Sequence, residues 1–434
     1  MNVCVVGLWH LGSVTAACLA QMGHRVVGLD SDPATILGLQ RGQPPVFEPG
    51  LAELIATETR AGRLSFSSEA SQALAEAEVV WITYDTPVDD DDVADVDGVL
   101  ARVEALLPHV RSGAVVLISS QLIAGCTRRL QQKCDRAQPS RGIEFAYSPE
   151  NLRLGKAISV FLEPDRIVVG ANTERVQNVV TELLSPFKDR ILWMSVESAE
   201  MTKHALNAFL AMCVSFANEV AAVCEQVGAD AKQVEAGLKS EKRIGPFAYL
   251  SPGAAFAGGT LARDVQYLKV LAREHGQPGL LFTAIKDSND RHRKWVQFRL
   301  QGRFGSLQGR RVCVLGLTYK PGTDTLRRSS SVELCRWLHE QGARVSAHDP
   351  RVTELPSELA RVIELAASIE AALKGADAVV IATPWPEYQS LPAELVRSTI
   401  STPIVVDANR AAARTLDAAG IEYIAVGTPA RTHA

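Results

Sequence analysis

A glycine-spaced turn at the start of the chain has the residue types that hold a dinucleotide. The run Gly7-Leu8-Trp9-His10-Leu11-Gly12 follows a strand-like stretch and opens a helix-like one. In such a turn the first glycine makes the bend, the last permits close helix–strand packing, and a middle glycine lets backbone approach the pyrophosphate. Trp9 occupies the middle position, so the motif is incomplete. We predict that Gly7, Trp9, His10, Leu11 and Gly12 contact the cofactor.

An acidic residue stands where the ribose of that cofactor would lie. Asp30 ends the second strand-like run, eighteen residues after Gly12. A carboxylate there accepts hydrogen bonds from a ribose diol and repels a 2′-phosphate, which favours NAD over NADP. Alternatively, Asp30 caps the next helix, although Asp32 could serve there equally well. Trp9 also has an alternative role, as a packing residue in a nucleotide site that has shifted or degenerated.

A lysine and an asparagine share one face of a predicted helix. The stretch from Ala199 to about Val227 lacks Gly and Pro and keeps the apolar spacing of a helix. Lys203 and Asn207 are four residues apart in it, so an ammonium and an amide point to the same place. The alternative is a solvated lysine and a helix-surface asparagine.

The elements that must position these residues alternate between strand and helix at both ends of the chain. The predicted strands are Val3–Gly7, His24–Leu29, Val79–Thr83, Ala114–Ser119, Arg166–Gly170, Arg311–Gly316, Val345–Asp349, Ala378–Ala382 and Ile404–Asp407. This rhythm indicates parallel sheets wrapped by helices. We predict an α/β fold of two Rossmann-like, doubly wound parallel-sheet domains, at residues 1–195 and 301–434. A long central helix and a helical middle domain at residues 196–300 join them.

Bulk composition describes an ordinary soluble protein. The 434 residues favour two or three domains, and the net charge of -4 argues against nucleic acid or an anionic membrane as the main partner. We expect no cleavable signal and no apolar run long enough to span a bilayer. The eight cysteines are scattered without CxxC or metal-ligand spacing. We therefore predict reduced thiols, no metal site and a cytoplasmic location.

Ordered landmarks along essentially the whole chain resemble the UDP-glucose/GDP-mannose dehydrogenase family. These landmarks are Gly42–Leu51, Thr86-Pro87, Phe161–Arg166, Glu200–Phe209, Gly316–Asp324 and Trp385–Tyr388. The family oxidises the C6 alcohol of a nucleotide-bound hexose to a carboxylate, using two NAD and a covalent cysteine intermediate. The resemblance implies NAD as cofactor, a nucleotide sugar as substrate, and a homodimer formed through the long helix.

The same resemblance assigns roles to individual side chains. Lys203 and Asn207 match the family's oxyanion-binding pair, Glu150 its proton-handling glutamate, and Asp264 an aspartate that steers water. Glu150 is alternatively a surface-loop carboxylate, and Asp264 a helix N-terminal charge. Further cofactor contacts are expected from Thr86, Gln121 and Arg327. The expected substrate contacts are Glu150, Leu152, Lys203, Asn207, Arg243, Tyr249, Gly258 and Lys320.

The chain departs from the family at the nucleophile. With Asp264 aligned, Thr260 stands at the position of the family's catalytic cysteine, and a hydroxyl is a poor nucleophile without a dedicated base. Gln121 replaces a catalytic-loop threonine, and Leu154 replaces a second carboxylate. Cys213 lies roughly 15 Å along the helix from Lys203, too far to substitute.

Three functions follow from this departure. The first is an NAD-dependent oxidoreductase of a UDP- or GDP-linked sugar that stops at one oxidation or returns the hydride as a redox-neutral isomerase. The second is a non-catalytic nucleotide-sugar-binding protein. The third is a two-step dehydrogenase in which Thr260 assists attack of water on the aldehyde.

Overall fold

Two compact units make up the molecule, Met1–Leu206 and Asn207–Ala434. The computed structural model describes residues 1–89, 93–257, 259–400, 403–417 and 420–429. The boundary between the units falls inside one continuous helix, Val196–Val227. The division into three domains stays a prediction.

The first unit is built on one large sheet. Its described strands are β1 Asn2–Val6, β2 Arg25–Leu29, β3 Leu64–Ser67, β4 Val79–Ile82, β5 Val115–Ile118, β6 Glu144–Tyr147, β7 Ile167–Gly170 and β8 Ile191–Met194. They lie in the order β3-β2-β1-β4-β5-β6-β7-β8, so the order reverses between β1 and β4. The carboxyl ends of strands at such a switch point form a crevice for a ligand.

One pair of strands departs from the predicted parallel arrangement. Strands β6 and β7 meet in antiparallel orientation, with Tyr147 opposite Gly170. Between them the chain forms only the six-residue helix Ala157–Leu162. Such a helix rises about 9 Å, which is less than the length of a four-residue strand, about 13 Å. It therefore does not carry the chain back along the sheet as a crossover helix does.

Helices cover both faces of this sheet because its central strands are apolar on both sides. All four residues of β4 and of β5 are buried. The helices of this unit are α1 His10–Gln21, α2 Pro33–Gln40, α3 Leu51–Arg60, α4 Ala70–Leu74, α5 Val96–Leu106, α6 Cys126–Ala137, α7 Ala157–Leu162 and α8 Glu174–Leu183. Two buried apolar clusters, one on each face, complete the layered core expected of an α/β domain.

The long helix α9, Val196–Val227, begins three residues before the predicted start. The hydroxyl of Ser195 accepts a hydrogen bond from the N–H of Ser198 at 3.2 Å, as a helix cap does. By length and composition alone this helix could cross a membrane, so the expectation of no such stretch was wrong. Half of its most apolar 18-residue window is buried inside the protein.

The second unit has a smaller parallel sheet of the same order. Its described strands are β9 Arg311–Leu315, β10 Arg344–His348, β11 Ile363–Leu365, β12 Ala378–Ile381, β13 Ile404–Val406 and β14 Glu422–Ile424, arranged β11-β10-β9-β12-β13-β14. The helices are α10 Ala231–Ser240, α11 Thr260–Glu274, α12 Leu280–Arg293, α13 Trp295–Phe304, α14 Ser330–Glu340, α15 Ile369–Leu373, α16 Pro386–Gln389, α17 Ala393–Thr399 and α18 Ala413–Leu416. The predicted α/β class, with two doubly wound sheets and a helical middle, is confirmed.

Both sheets use a glycine where their first strand ends. Gly316 follows β9 with a φ of +94°, a left-handed conformation that L side chains rarely adopt. A Cβ on Gly316 would lie 2.4 Å from the Cβ of Thr383 and 2.7 Å from its backbone nitrogen. No side chain fits between the end of β9 and the end of β12.

This packing predicts that one added methyl group at Gly316 strongly lowers the free energy of unfolding. We expect Gly316→Ala to lower the free energy of unfolding by about 2–3 kcal/mol more than Gly309→Ala does, because only the first substitution adds a steric clash. Gly309 has a φ of +75° with no atom within 4 Å of the added Cβ, so it reports the backbone penalty alone. Denaturant unfolding of both variants measures the difference, and equal losses would contradict the steric account.

Candidate functional site

The first βα turn of unit 1 is a cradle that only glycines can form. Gly7 has a φ of +93°, and a Cβ on it would lie 2.6 Å from Cδ1 of Tyr84. A Cβ on Gly12 would lie 1.9 Å from the carbonyl oxygen of Gly7. These two glycines therefore bring α1 against the ends of β1 and β4, as the dinucleotide motif requires.

Trp9 leaves this cradle open. Its φ of -70° and ψ of -157° are extended values that any residue adopts, so the position does not need a glycine for its backbone. The indole is 51% exposed, which is not the burial of a packing residue. The N–H groups of His10, Leu11 and Gly12 begin α1, where a helix offers unsatisfied donors and the positive end of its dipole to an anion.

Asp30 lies at the rim of the same turn. One carboxylate oxygen accepts the N–H of Leu8 at 2.7 Å, and the other accepts the N–H of Asp32 at 3.0 Å. The cap of α2 is Asp32, whose side chain accepts the N–H groups of Ala34 and Thr35. Asp30 is half-buried and has no part in the cap, which leaves its remaining lone pairs for a ribose diol.

His10 is held by a buried glutamate to which the sequence analysis assigns no role. The Nε2 of His10 lies 2.8 Å from Oε2 of Glu48, and Glu48 is only 3% exposed. The same carboxylate accepts the N–H groups of Gly155 and Ala157, each at 2.8 Å. The one signal in the sequence is that Glu48 lies inside the landmark Gly42–Leu51.

The loop after β5 is anchored by a second carboxylate to which the sequence analysis assigns no role. Thr86, four residues after the end of β4, donates its hydroxyl to the carbonyl of Gln121 at 3.0 Å, and both residues are buried. Glu200 of α9 is fully buried and accepts the N–H groups of Gly125 and Thr127. Burial raises the pKa of Glu200, and these hydrogen bonds oppose the rise.

Two predicted catalytic residues meet in unit 1. The ammonium of Lys203, which is 7% exposed, donates to the backbone carbonyl of Glu150 at 2.5 Å. Glu150 and Leu152 lie half-buried on the loop that follows β6. A lysine has three donors, so this contact fixes the ammonium beside the Glu150 loop and uses one of them. The alternative of a solvated lysine does not fit this burial.

Two further predicted catalytic residues, Asn207 and Asp264, meet in unit 2. Asn207 donates its amide N–H to Oδ2 of Asp264 at 2.6 Å, with Asn207 5% and Asp264 0% exposed. Asp264 lies in the second turn of α11, and Thr260 is the exposed first residue of that helix. Thr260 stands one turn before Asp264, at a helix N-terminus that favours developing negative charge.

None of the eight cysteines has the environment of a nucleophile. All are free and buried. Burial raises the pKa of the thiols of Cys4, Cys18, Cys126 and Cys313 to about 12 and also raises those of Cys134, Cys213 and Cys335. A thiolate is the reactive form, so these seven are inert near neutral pH. Among the described residues no cluster of His, Cys, Asp and Glu could hold a metal ion.

The long loop before α11 has one exposed part and one anchored part. Arg243 pairs with Glu241 but its side chain is 87% exposed, and Tyr249 is 57% exposed. The part from Gly253 onward is fixed by two asparagine side chains. The N–H of Gly253 donates to Oδ1 of Asn218 at 2.9 Å, and that of Phe256 donates to Oδ1 of Asn289 at 3.0 Å. Gly258 lies outside the described residues.

The two cationic residues predicted in the last unit lie on the loop between β9 and α14. Lys320 is half-buried and Arg327 is exposed. They follow Gly316 at the switch point of the second sheet, the edge where open α/β sheets bind ligands.

Comparisons with known proteins agree along the whole chain. The description "UDP-glucose/GDP-mannose dehydrogenase family" matches through its NAD binding domain at residues 1–188, its central domain at 197–291 and its UDP binding domain at 313–414. The UDP-glucose 6-dehydrogenase of Pseudomonas aeruginosa is 34% identical, covering 100% of this chain and 99% of that protein. One from Bacillus subtilis is 35% identical, covering 99% and 98%.

A solved structure gives the same result. The UDP-glucose dehydrogenase of Pyrobaculum islandicum superposes with a TM-score of 0.87 at 33% identity, covering 99% of this chain and 98% of that one. The predicted resemblance and the predicted NAD cofactor are confirmed. The chain belongs to the UDP-glucose/GDP-mannose dehydrogenase family.

Proposed function

We propose that this protein is an NAD-dependent dehydrogenase that oxidises an alcohol of a UDP-linked sugar without a covalent thioester step. The match of an NAD binding domain and a UDP binding domain within one chain supports this substrate pair. The observation that carries the proposal is the hydrogen bond from Lys203 to the backbone carbonyl of Glu150, because it fixes a buried ammonium beside the residue that is expected to accept the proton.

The residues of unit 1 supply the alcohol-oxidising chemistry. NAD, when bound, takes a hydride from the carbon of the alcohol. Asp30 would hold the ribose, and the N–H groups in the first turn of α1 would hold the pyrophosphate. The carboxylate of Glu150 accepts the hydroxyl proton, and the ammonium of Lys203 stabilises negative charge that develops on the oxygen. The alcohol thus loses its hydroxyl proton to Glu150 and a hydride to NAD, and it becomes a carbonyl compound.

The chain lacks the cysteine that the family uses for the second oxidation. In the family the aldehyde is captured by a cysteine, and here Thr260 stands at that position as an exposed residue. Asn207 and Asp264 persist as a buried pair and can orient a neighbouring group or water, but neither side chain can form a thioester. We therefore place the end of the reaction at one oxidation.

Counting NADH per sugar consumed, with mass analysis of products from a panel of sugar nucleotides, separates the candidates. One NADH and an aldehyde support the proposal. No NADH with an altered sugar indicates the redox-neutral isomerase. Two NADH with a carboxylate indicate the two-step enzyme in which Thr260 assists water. Binding of the sugar nucleotide without NAD binding or turnover indicates the non-catalytic protein.

A homodimer and a cytoplasmic location complete the proposal. Phe209, Phe216 and Val223 are 57%, 49% and 61% exposed and recur every seven residues on α9. Side chains at this spacing line one side of a helix, and large exposed apolar stripes mark association sites. A second copy of the helix is the partner that we propose. Free buried thiols suit the reducing cytoplasm.

The ribose role of Asp30 predicts a change in cofactor choice. We expect Asp30→Asn to weaken NAD binding about tenfold, the equivalent of about 1.4 kcal/mol, and to narrow the preference over NADP, because a charged acceptor is lost. The control is Asp32→Ala, which removes the α2 cap at a cost of about 1 kcal/mol of stability. Titration calorimetry measures the NAD and NADP affinities of both variants. An unchanged NAD affinity in Asp30→Asn would contradict the ribose role of Asp30.

The missing thiol predicts a gain of function. We expect Thr260→Cys to release a second NADH per sugar and some carboxylate, because a thiol at a helix N-terminus has a lowered pKa and can capture the aldehyde. Thr260→Ser keeps a hydroxyl and should behave as the parent protein. A stoichiometry that stays the same in both variants would show that this position does not face the aldehyde.

The apolar stripe of α9 predicts a dependence of assembly on one side chain. We expect Phe216→Asp to shift the protein from dimer to monomer in light scattering, because a buried unpaired carboxylate is costly at an interface. Leu37→Asp replaces a similarly exposed apolar side chain, 47% exposed on α2, and should leave the dimer intact. A dimer that survives Phe216→Asp would place the interface elsewhere.

A further inference from the structure

The carboxylate of Glu48 ties three separate segments of unit 1 together. Its side chain is 1% exposed and lies 2.8 Å from the Nε2 of His10, whose own side chain is 16% exposed. Its two oxygens also accept the N–H groups of Gly155 and Ala157. The three partners belong to the cofactor turn and to the loop that leads into α7.

The loop between β6 and α7 is therefore anchored at both ends. At its start the carbonyl of Glu150 accepts a hydrogen bond from Lys203. At its end the N–H groups of Gly155 and Ala157 are held by Glu48. The position of the Glu150 loop thus depends on a carboxylate whose remaining partner is the first residue of α1.

The arrangement of these three donors depends on the negative charge of the Glu48 carboxylate. A carboxylate is an acceptor only, so it can serve two amide donors and an imidazole N–H together. A glutamine at the same place would turn its NH₂ group toward at least one of those donors. A buried donor facing a donor is destabilising, and the loop can relieve this repulsion by moving.

We propose that Glu48 is a positioning residue that couples occupation of the cofactor turn, through His10, to the placement of the loop that carries Glu150. An anion bound at the start of α1 orders the first turn and hence the imidazole of His10. The imidazole orders Glu48, and Glu48 orders the end of the loop. By linkage, a sugar nucleotide that contacts the ordered loop binds more tightly when cofactor is present. The inference rests on the proposed function, because it assumes both ligands.

The test compares the affinity for UDP-glucose with and without saturating NADH, by titration calorimetry. Wild-type protein should bind UDP-glucose at least about fivefold more tightly with NADH present, the lower end of ordinary coupling. Glu48→Gln and His10→Phe should reduce that ratio to about one. Glu58→Gln is the matched control, because Glu58 is also 3% exposed and pairs with Arg63 away from this loop.

Each outcome decides the proposal. The proposal is overturned if the affinity ratios of Glu48→Gln and His10→Phe equal the ratio of the control, even if the melting temperatures of these variants fall. Glu48 would then have only a structural role. A ratio of one in the wild type overturns it as well. If Glu48→Gln does not fold, His10→Phe decides alone, since it leaves both loop amides bound to Glu48. Failure of the wild type to bind NADH at all would instead contradict the proposed function.

Discussion

A single backbone hydrogen bond to an aspartate organises the ligand edge of both sheets. In unit 1 the N–H of Leu8 donates to Asp30, and in unit 2 the N–H of Leu317 donates to Asp349, each at 2.7 Å. Each bond closes a turn that begins with a left-handed glycine, and this glycine packs against the end of the neighbouring strand, β4 or β12. In unit 1 the helix α1 begins directly after this turn, at His10.

The two aspartates differ in what else they bind, and this separates the roles of the units. Asp30 is half-buried and accepts one further N–H. Asp349 is 5% exposed and also accepts from the backbone and hydroxyl of Thr318 and from the indole of Trp385. An aspartate with that many donors has little capacity left for a ribose. The same fold element therefore suits a dinucleotide in unit 1 and a structural role in unit 2.

The sequence predicted the strands of the two sheets better than the contacts between distant side chains. Continuous apolar runs such as Val79–Ile82 gave strands within one residue of their observed ends, because strands buried on both faces carry a strong pattern. Five described strands went unpredicted. Four are the edge strands of the two sheets, whose partly exposed residues weaken the apolar pattern: Leu64–Ser67, Ile191–Met194, Ile363–Leu365 and Glu422–Ile424. The fifth is the interior strand Glu144–Tyr147. The family resemblance assigned roles to Asn207 and Asp264, but their hydrogen bond to each other was not predicted.

The long-range polar contacts of the site could not be predicted from the sequence. The partners of Glu48 lie 38 to 109 residues away along the chain, and those of Glu200 lie 73 and 75 residues away. No local pattern encodes such distances, so neither glutamate could be recognised as an anchor before the sheet brought the loops together. Trp9 was likewise ambiguous, because only its backbone angles and its exposure show that the turn tolerates an indole.

The central claim is that the alcohol-oxidising half of the family's chemistry persists while covalent capture of the aldehyde is lost. The most direct measurement uses UDP-glucose carrying two deuterium atoms at C6 and follows both atoms by mass spectrometry. The account predicts one deuterium in the reduced cofactor and one retained in an aldehyde product. Transfer of both deuterium atoms to cofactor, with a carboxylate product, would contradict it.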